Sequence, residues 1–235
     1  MRRLGLRQRV AAECIGSAFL VAAVVGSGIM GERLAGGNVA IALLANTIAT
    51  GAALVALILA LGPISGAHLN PAVSLMEAWR GTLPWGEASA YMPSQMAGGA
   101  IGAIAANVMF GVGSVSLSHH ARSGPAQVFS EFVATLGLLV VIGCCSRFQP
   151  KVVSVAVGGY IAAAYWFTAS TSFANPAVTI ARALSDTFAG IRPSDVPGFI
   201  AAQLVGAVAA TTLLGWLVPI KVQATAAAAP LESAD

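Results

Sequence analysis

Residues 62–75 read GPISGAHLNPAVSL, and residues 171–184 read TSFANPAVTIARAL. Both stretches hold the same tripeptide, as Asn70-Pro71-Ala72 and Asn175-Pro176-Ala177. Each copy reads as a helix start. Asn is a strong N-cap, and Pro suits the first helical turn, where its missing N–H leaves no bond unmade. Yet each copy sits inside apolar sequence of membrane length. Two helices that begin inside such regions point to a pore.

Working outward, 57% of the 235 residues are hydrophobic and only 9% are charged. A soluble domain carries roughly 25% charged residues, so the surface of this chain must face lipid. Six spans of membrane length can be read, at about 9–30, 39–61, 87–109, 127–146, 152–169 and 197–218. Each reaches or approaches the ~20 residues that cross ~30 Å of hydrocarbon. Two shorter apolar pieces, about 64–79 and 172–185, carry the tripeptides. About ten helical residues at ~1.5 Å each give ~15 Å, half a bilayer, so these read as re-entrant half-helices. The predicted fold class is an all-α membrane protein of six transmembrane helices plus two re-entrant half-helices.

The composition also excludes some classes. The net charge of +3 comes without a basic cluster interleaved with aromatics, so no nucleic-acid partner is expected. Cys14, Cys144 and Cys145 lie in apolar stretches without metal-ligand spacing and read as small buried residues. No metal and no cofactor is implied. Arg2, Arg3, Arg7 and Arg9 precede a long apolar segment, but no short h-region with a small-residue cleavage site stands out.

The halves repeat. Glu13 opens the first span and Glu131 the fourth, and each half-helix is followed by a span with a Gln before small residues, Gln95 and Gln203. Three spans plus one half-helix therefore occur twice, and an odd number of spans per copy inverts the second. The two half-helices then enter from opposite faces and meet near the midplane. The expected layout is an N-terminus at 1–8, one channel domain at 9–218 (repeat one about 9–109, repeat two about 127–218), and a disordered tail at 219–235. With the N-terminus inside, the inner loops hold Arg2, Arg3, Arg7, Arg9, Arg80, Arg147, Lys151 and Lys221, against Arg33, Arg122, Arg182 and Arg192 outside. That bias places both termini in the cytoplasm, and the chain in a bacterial inner membrane.

The chemistry follows from helix ends. A helix N-terminus carries roughly half a positive charge and unpaired N–H groups. Two of them at one midplane spot repel cations and protons while leaving hydrogen-bond donors for neutral solutes. With each Asn oxygen capping its own helix, the side-chain N–H groups of Asn70 and Asn175 face the lumen. Irregular backbone before each half-helix is tolerated where it lines a cavity, so carbonyls of Gly66, Ala67, His68 and Leu69, and of Thr171, Ser172, Phe173 and Ala174, are expected along the path.

The paired motifs, the inverted repeat, the two glutamates and the string SGAHLNPAV together resemble the aquaporin superfamily, the major intrinsic proteins, across about residues 9–218. The resemblance implies one pore per chain, a homotetramer, and small neutral solutes and the lipid bilayer as partners. That family normally has an arginine three residues after the second Asn; here Val178 stands there. The other constriction positions carry over as Thr50, Ala163 and Ser172, with Tyr165, Trp166 and Phe167 close by. A small, mildly polar set implies a wide pore. Arg182, one turn beyond Val178, reaches back toward the pore or anchors the chain at the outer headgroups; both readings stay open. Its repeat partner, Glu77, would sit at the cytoplasmic mouth.

Residues 168–202, TASTSFANPAVTIARALSDTFAGIRPSDVPGFIAA, resemble the branch of bacterial aquaglyceroporins associated with arsenic-resistance genes. That likeness implies passage of glycerol-sized polyols and neutral metalloid species such as arsenous acid or methylated arsenicals, with water, and no enzymatic activity. A mainly water-conducting aquaporin is the alternative; a membrane-embedded enzyme and a closed structural protein are remote ones. Glu13 and Glu131 read as braces for the loops before the half-helices rather than proton relays. His68 reads as lining the path, His119 and His120 as solvated, and Gly98, Gly102 and Gly206 as helix-crossing residues.

Overall fold

The computed structural model describes residues 4–219. The positions 1–3 and 220–235, with Arg2, Arg3, Lys221 and nearly all of the expected tail, lie outside the described residues. Among the described residues there are eight α-helices and no strand: α1 (Leu6–Leu34), α2 (Val39–Ser65), α3 (Pro71–Trp79), α4 (Trp85–Met109), α5 (Pro125–Phe148), α6 (Val153–Phe167), α7 (Pro176–Arg182) and α8 (Val196–Leu217). Four helical segments are long and apolar enough to cross a membrane by length and composition: α1, α2, α5 and Pro193–Leu217, which contains α8. The fourth helix has 25 residues but carries Glu87, Gln95 and Asn107. The sixth has 15 residues, shorter than the 152–169 expected. Its last turn closes with the Thr168 hydroxyl on the Ala164 carbonyl at 2.6 Å, and the chain then extends.

The order of elements repeats: α1 to α4 correspond to α5 to α8, with α3 and α7 as the short members. Within each repeat the first and last helices lie side by side, α1 with α4 and α5 with α8. The second helices of the two repeats, α2 and α6, cross. Small residues set these distances. A Cβ at Gly98 or Gly102 would collide with the carbonyl oxygen of Cys14 or Ala18, and one at Gly206 would meet Phe132 O at 2.8 Å. Backbones that approach this closely tolerate no side chain there.

Each half-helix starts at the molecule's centre and runs outward. The ends of the described chain converge on one side: Leu4 shares a vestibule with Thr82 and Leu83, and the Arg80 guanidinium donates to the Val218 carbonyl at 3.1 Å. Both termini of the described chain therefore lie on the face where α3 ends. The outermost helix faces carry exposed apolar side chains such as Phe19, Ile48, Phe129 and Val205. A stable soluble surface would not spread such residues over all the long helices; lipid accommodates them.

Candidate functional site

The two loops before the half-helices meet and hold each other. Asn70 Oδ1 accepts from Ala72 N at 2.9 Å, and Asn175 Oδ1 accepts from Ala177 N at 3.0 Å and Val178 N at 3.2 Å. Both are N-caps, with Pro71 and Pro176 at the first helical positions. The amide nitrogens then cross: Asn70 Nδ2 donates to Ala174 O at 2.7 Å, and Asn175 Nδ2 donates to Leu69 O at 2.8 Å. An amide NH2 has two protons. One from each Asn therefore staples the opposite loop and one is left for the cavity, a division the sequence reading did not foresee. Pro71, Ala72, Pro176 and Ala177 are buried behind the two Asn side chains and are absent from the cavity wall.

The loops themselves are strained in a repeated pattern. Ala67 and Leu69 have φ of 48° and 51°; Ser172 and Ala174 have 50° and 47°. Gly66 at 92° has Thr171 at 61° as its counterpart. Left-handed backbone is uncommon for residues with a Cβ and worst for β-branched ones. The glutamates hold this strain in place. Glu13 accepts from Ser65 Oγ (2.6 Å), His68 N (3.0 Å), Leu69 N (2.7 Å) and Gln95 Nε2 (2.8 Å). Glu131 accepts from Phe173 N (2.8 Å), Ala174 N (2.8 Å) and Gln203 Nε2 (2.6 Å). Both are fully buried. A buried carboxylate is tolerable only when so bonded, and both oxygens of each are engaged in bracing a loop.

Along the crossed pair runs a cavity of about 250 Å³. One side is polar: Gly66, Ala67, His68, Leu69 and Asn70 from the first loop, Ser172, Phe173 and Asn175 from the second. Facing them is an aliphatic wall from α1, α2, α5 and α6, with Leu20, Val24, Leu54, Leu138, Val157 and Ile161 among its members. Ala174 and Thr171 are not on this wall. Ala174 supplies its carbonyl to Asn70 instead, and Thr171 Oγ1 lies 3.5 Å from Arg122 Nη1. His68 borders the cavity with Nδ1 3.1 Å from Ser74 Oγ and its ring edge-on to Tyr91. Glu77 borders both this cavity and the vestibule beside Arg9 and Leu83, so it marks one mouth.

Toward the other mouth the wall is formed by Thr50, Tyr165, Ser172, Phe173, Val178 and Arg182. Ala163 does not belong to it: its side chain is exposed on the outer face of α6. On a helix a shift of two residues turns the side chain by about 200°, so the inward positions of α6 are Ile161 and Tyr165. Tyr165 Oη lies 3.2 Å from Thr50 Oγ1. Arg182 is not a surface anchor; it is 2% exposed, its Nε donates to Ala189 O, and its guanidinium carbon lies 3.4 Å from the Phe173 ring centroid. Arg122, 5.1 Å from the same ring, donates to the carbonyls of Gly190 (2.7 Å), Ser170 (3.3 Å) and Phe188 (3.3 Å). Burial lowers its pKa to about 10, which still leaves it charged at neutral pH. The sequence reading missed this residue, counting it as a loop charge. Its only signal was a lone arginine near the apolar start of α5.

Other expectations come out mixed. His119 is exposed as expected, but its ring and backbone N both meet the Asp186 carboxylate, at 2.9 and 2.8 Å. Those bonds hold the Asp186 pKa below its ordinary value. The three cysteines are half-buried, not buried, because their helix faces point partly outward.

The family description "Major intrinsic protein" matches this chain twice, over residues 1–152 and 125–234. The aquaglyceroporin AqpS of Rhizobium meliloti is 52% identical over 217 residues, covering 92% of this chain and 93% of the relative. The probable aquaporin AqpM of Archaeoglobus fulgidus is 30% identical over 242 residues, covering 90% and 97%. The X-ray structure of the aquaglyceroporin from Plasmodium falciparum matches with a TM-score of 0.71, covering 89% of this chain and 96% of that one. At 21% identity, that last likeness concerns the fold alone.

Proposed function

Since this chain belongs to the major intrinsic protein family, we propose that it is a passive membrane channel for small neutral solutes, glycerol and water among them, closed to ions and protons. The observation that carries the reading is the two-sided cavity at the crossed Asn pair. A polyol has hydroxyls on one side and carbons on the other. The loop carbonyls and the spare Asn70 and Asn175 N–H protons meet the hydroxyls, and the aliphatic wall meets the carbons. A cation gains nothing from the donors and loses its hydration against the aliphatic wall.

The finer assignments rest on the same wall. Val178, where the family resemblance leads one to expect an arginine, leaves width, and Thr50, Tyr165, Ser172 and Arg182 give it polarity. That combination supports solutes larger than water, including metalloid hydroxides such as arsenous acid, an uncharged polyol mimic at neutral pH. The 52% identical relative named as an aquaglyceroporin supports the same direction. No catalytic step is assigned to the path: Glu13 and Glu131 brace the loops, and Asn70 and Asn175 cap and staple them. It further places one pore in each subunit of a homotetramer, in a bacterial inner membrane, with the α3-side face and both termini cytoplasmic. Osmotic swelling of proteoliposomes with water, glycerol and arsenous acid tests the reading. Glycerol and arsenous acid permeability above that of empty vesicles is the expected result; a rise for water alone would leave a water channel.

A further inference from the structure

The Arg182 guanidinium is the unspent charge of this molecule. Its Nε is bound to Ala189 O, but among the described residues neither terminal nitrogen has a hydrogen-bond partner. Neither is sealed off: among the described arginines Arg9 Nε alone is a buried side-chain nitrogen without a partner, and Arg182 borders the cavity. An arginine 98% buried, resting on the Phe173 ring and one carbonyl, is a costly arrangement unless an anion also meets its terminal nitrogens.

Among the described residues no carboxylate is paired with it. Glu131 acts on both Arg122 and Arg182 through space, but its oxygens are committed to Phe173 N, Ala174 N and Gln203 Nε2. Arg122 has its guanidinium nitrogens on neutral carbonyls and the Thr171 hydroxyl. Asp195 is taken by Arg192 and by the backbone of Arg122. Asp186 is taken by His119. His120, exposed beside them, is held below its ordinary pKa by partial desolvation and by the two arginines. Among the buried groups here, two arginines stand against one glutamate, with Glu32 exposed to solvent, which leaves one buried positive charge.

We propose that Arg182, with the Thr50 and Tyr165 hydroxyls on the same wall, is a binding site for a small planar monoanion of the carboxylate class, which occludes the channel when bound. This rests on the channel reading above. One negative charge balances the one uncompensated positive charge. Two oxygens in a plane match the two terminal NH2 groups of the fork. Val178, Ile161 and the Phe173 ring line the same cavity. Further inward the wall is aliphatic, so a carboxylate that left Arg182 would lose its counter-charge in a poorly solvating stretch. It therefore stays and blocks, whereas a neutral polyol moves on.

The test is glycerol-driven swelling of proteoliposomes at pH 8, with sodium formate replacing sodium gluconate equally on both sides. Wild type is expected to lose glycerol permeability saturably with formate. R182Q, referred to its own formate-free rate, should need at least on the order of tenfold more formate, the loss expected for a charge-assisted pair. R182K keeps the charge without the fork and should fall between them. No effect of formate on a wild type that conducts glycerol, or equal inhibition of wild type and R182Q, overturns the proposal. Should R182Q fail to elute as wild type on size exclusion, R182K decides: inhibition equal to wild type overturns it. A wild type that conducts no glycerol refutes the channel reading separately. Calorimetric titration of the purified protein with formate then judges the site, a saturating heat lost in the variant supporting it and equal heats overturning it.

Discussion

At the residue scale the constriction is a few side chains whose directions decide what passes. The Thr50 and Tyr165 hydroxyls lie 3.2 Å apart on one wall of the path, and Val178 lines it beside them. Replacing Val178 or Thr50 with Phe should lower glycerol permeability more than water permeability in the swelling assay. Equal loss of both, with normal expression, would place the size filter elsewhere. Tyr165→Phe removes one hydroxyl without changing the ring, so glycerol flux is expected to fall roughly two- to tenfold, the worth of one hydrogen bond. This scale was the least legible in the sequence. Spacing from Asn175 pointed to Ala163, because loop length between α6 and the motif cannot be read from the chain; the helix ends at Phe167, and that sets which residues turn inward. The Val178 gap was legible. The direction of Arg182 was not, since a residue one turn from a pore position can point to lipid or lumen, and its contacts with Ala189 O and the Phe173 ring settle which.

At the element scale the half-helices and their loops act as one unit in each repeat. The tripeptides announced α3 and α7, and the placement of Glu13 and Glu131 announced their braces, because caps and buried carboxylates are local or symmetric signals. The crossing of the Asn amides was not announced, since it joins residues 104 and 106 positions apart. Losing Asn175 removes a cap and a staple together, so Asn175→Ala should cost about 1–2 kcal/mol of stability. Thermal unfolding in detergent measures it, and an unchanged midpoint would contradict the stapled geometry. Glu131→Gln presents an NH2 group where backbone N–H groups converge. A similar loss, about 1–3 kcal/mol, is expected, with reduced folding yield. In the outer loops, the His119–Asp186 contact carries a pH dependence. Because the Asp186 pKa is depressed, the contact stabilises the loop above the ordinary value of 3.8 and is lost as pH falls below it. Proteolysis of residues 113–124 should quicken below that pH in wild type and less so in Asp186→Asn.

At the scale of the whole molecule the fold is a doubled unit closed on itself. The sequence carried this through span count, paired motifs and low charge, and the twofold match to the family description agrees with a duplicated chain. What it carried poorly was α6, apolar but only 15 residues long, and the burial of Arg122, whose loop position suggested solvent. Close crossings make the bundle intolerant: Gly98→Val meets backbone of α1, which cannot move aside, so little folded protein should accumulate. The central claim is that neutral polyols pass the crossed Asn pair while charge does not. The most direct measurement follows glycerol entry and proton leak in the same proteoliposomes, with a swelling signal and an internal pH dye. The account predicts glycerol permeability well above that of empty vesicles, with a proton leak indistinguishable from theirs. A proton leak that rises with protein content, or glycerol entry no faster than through bare lipid, would contradict it.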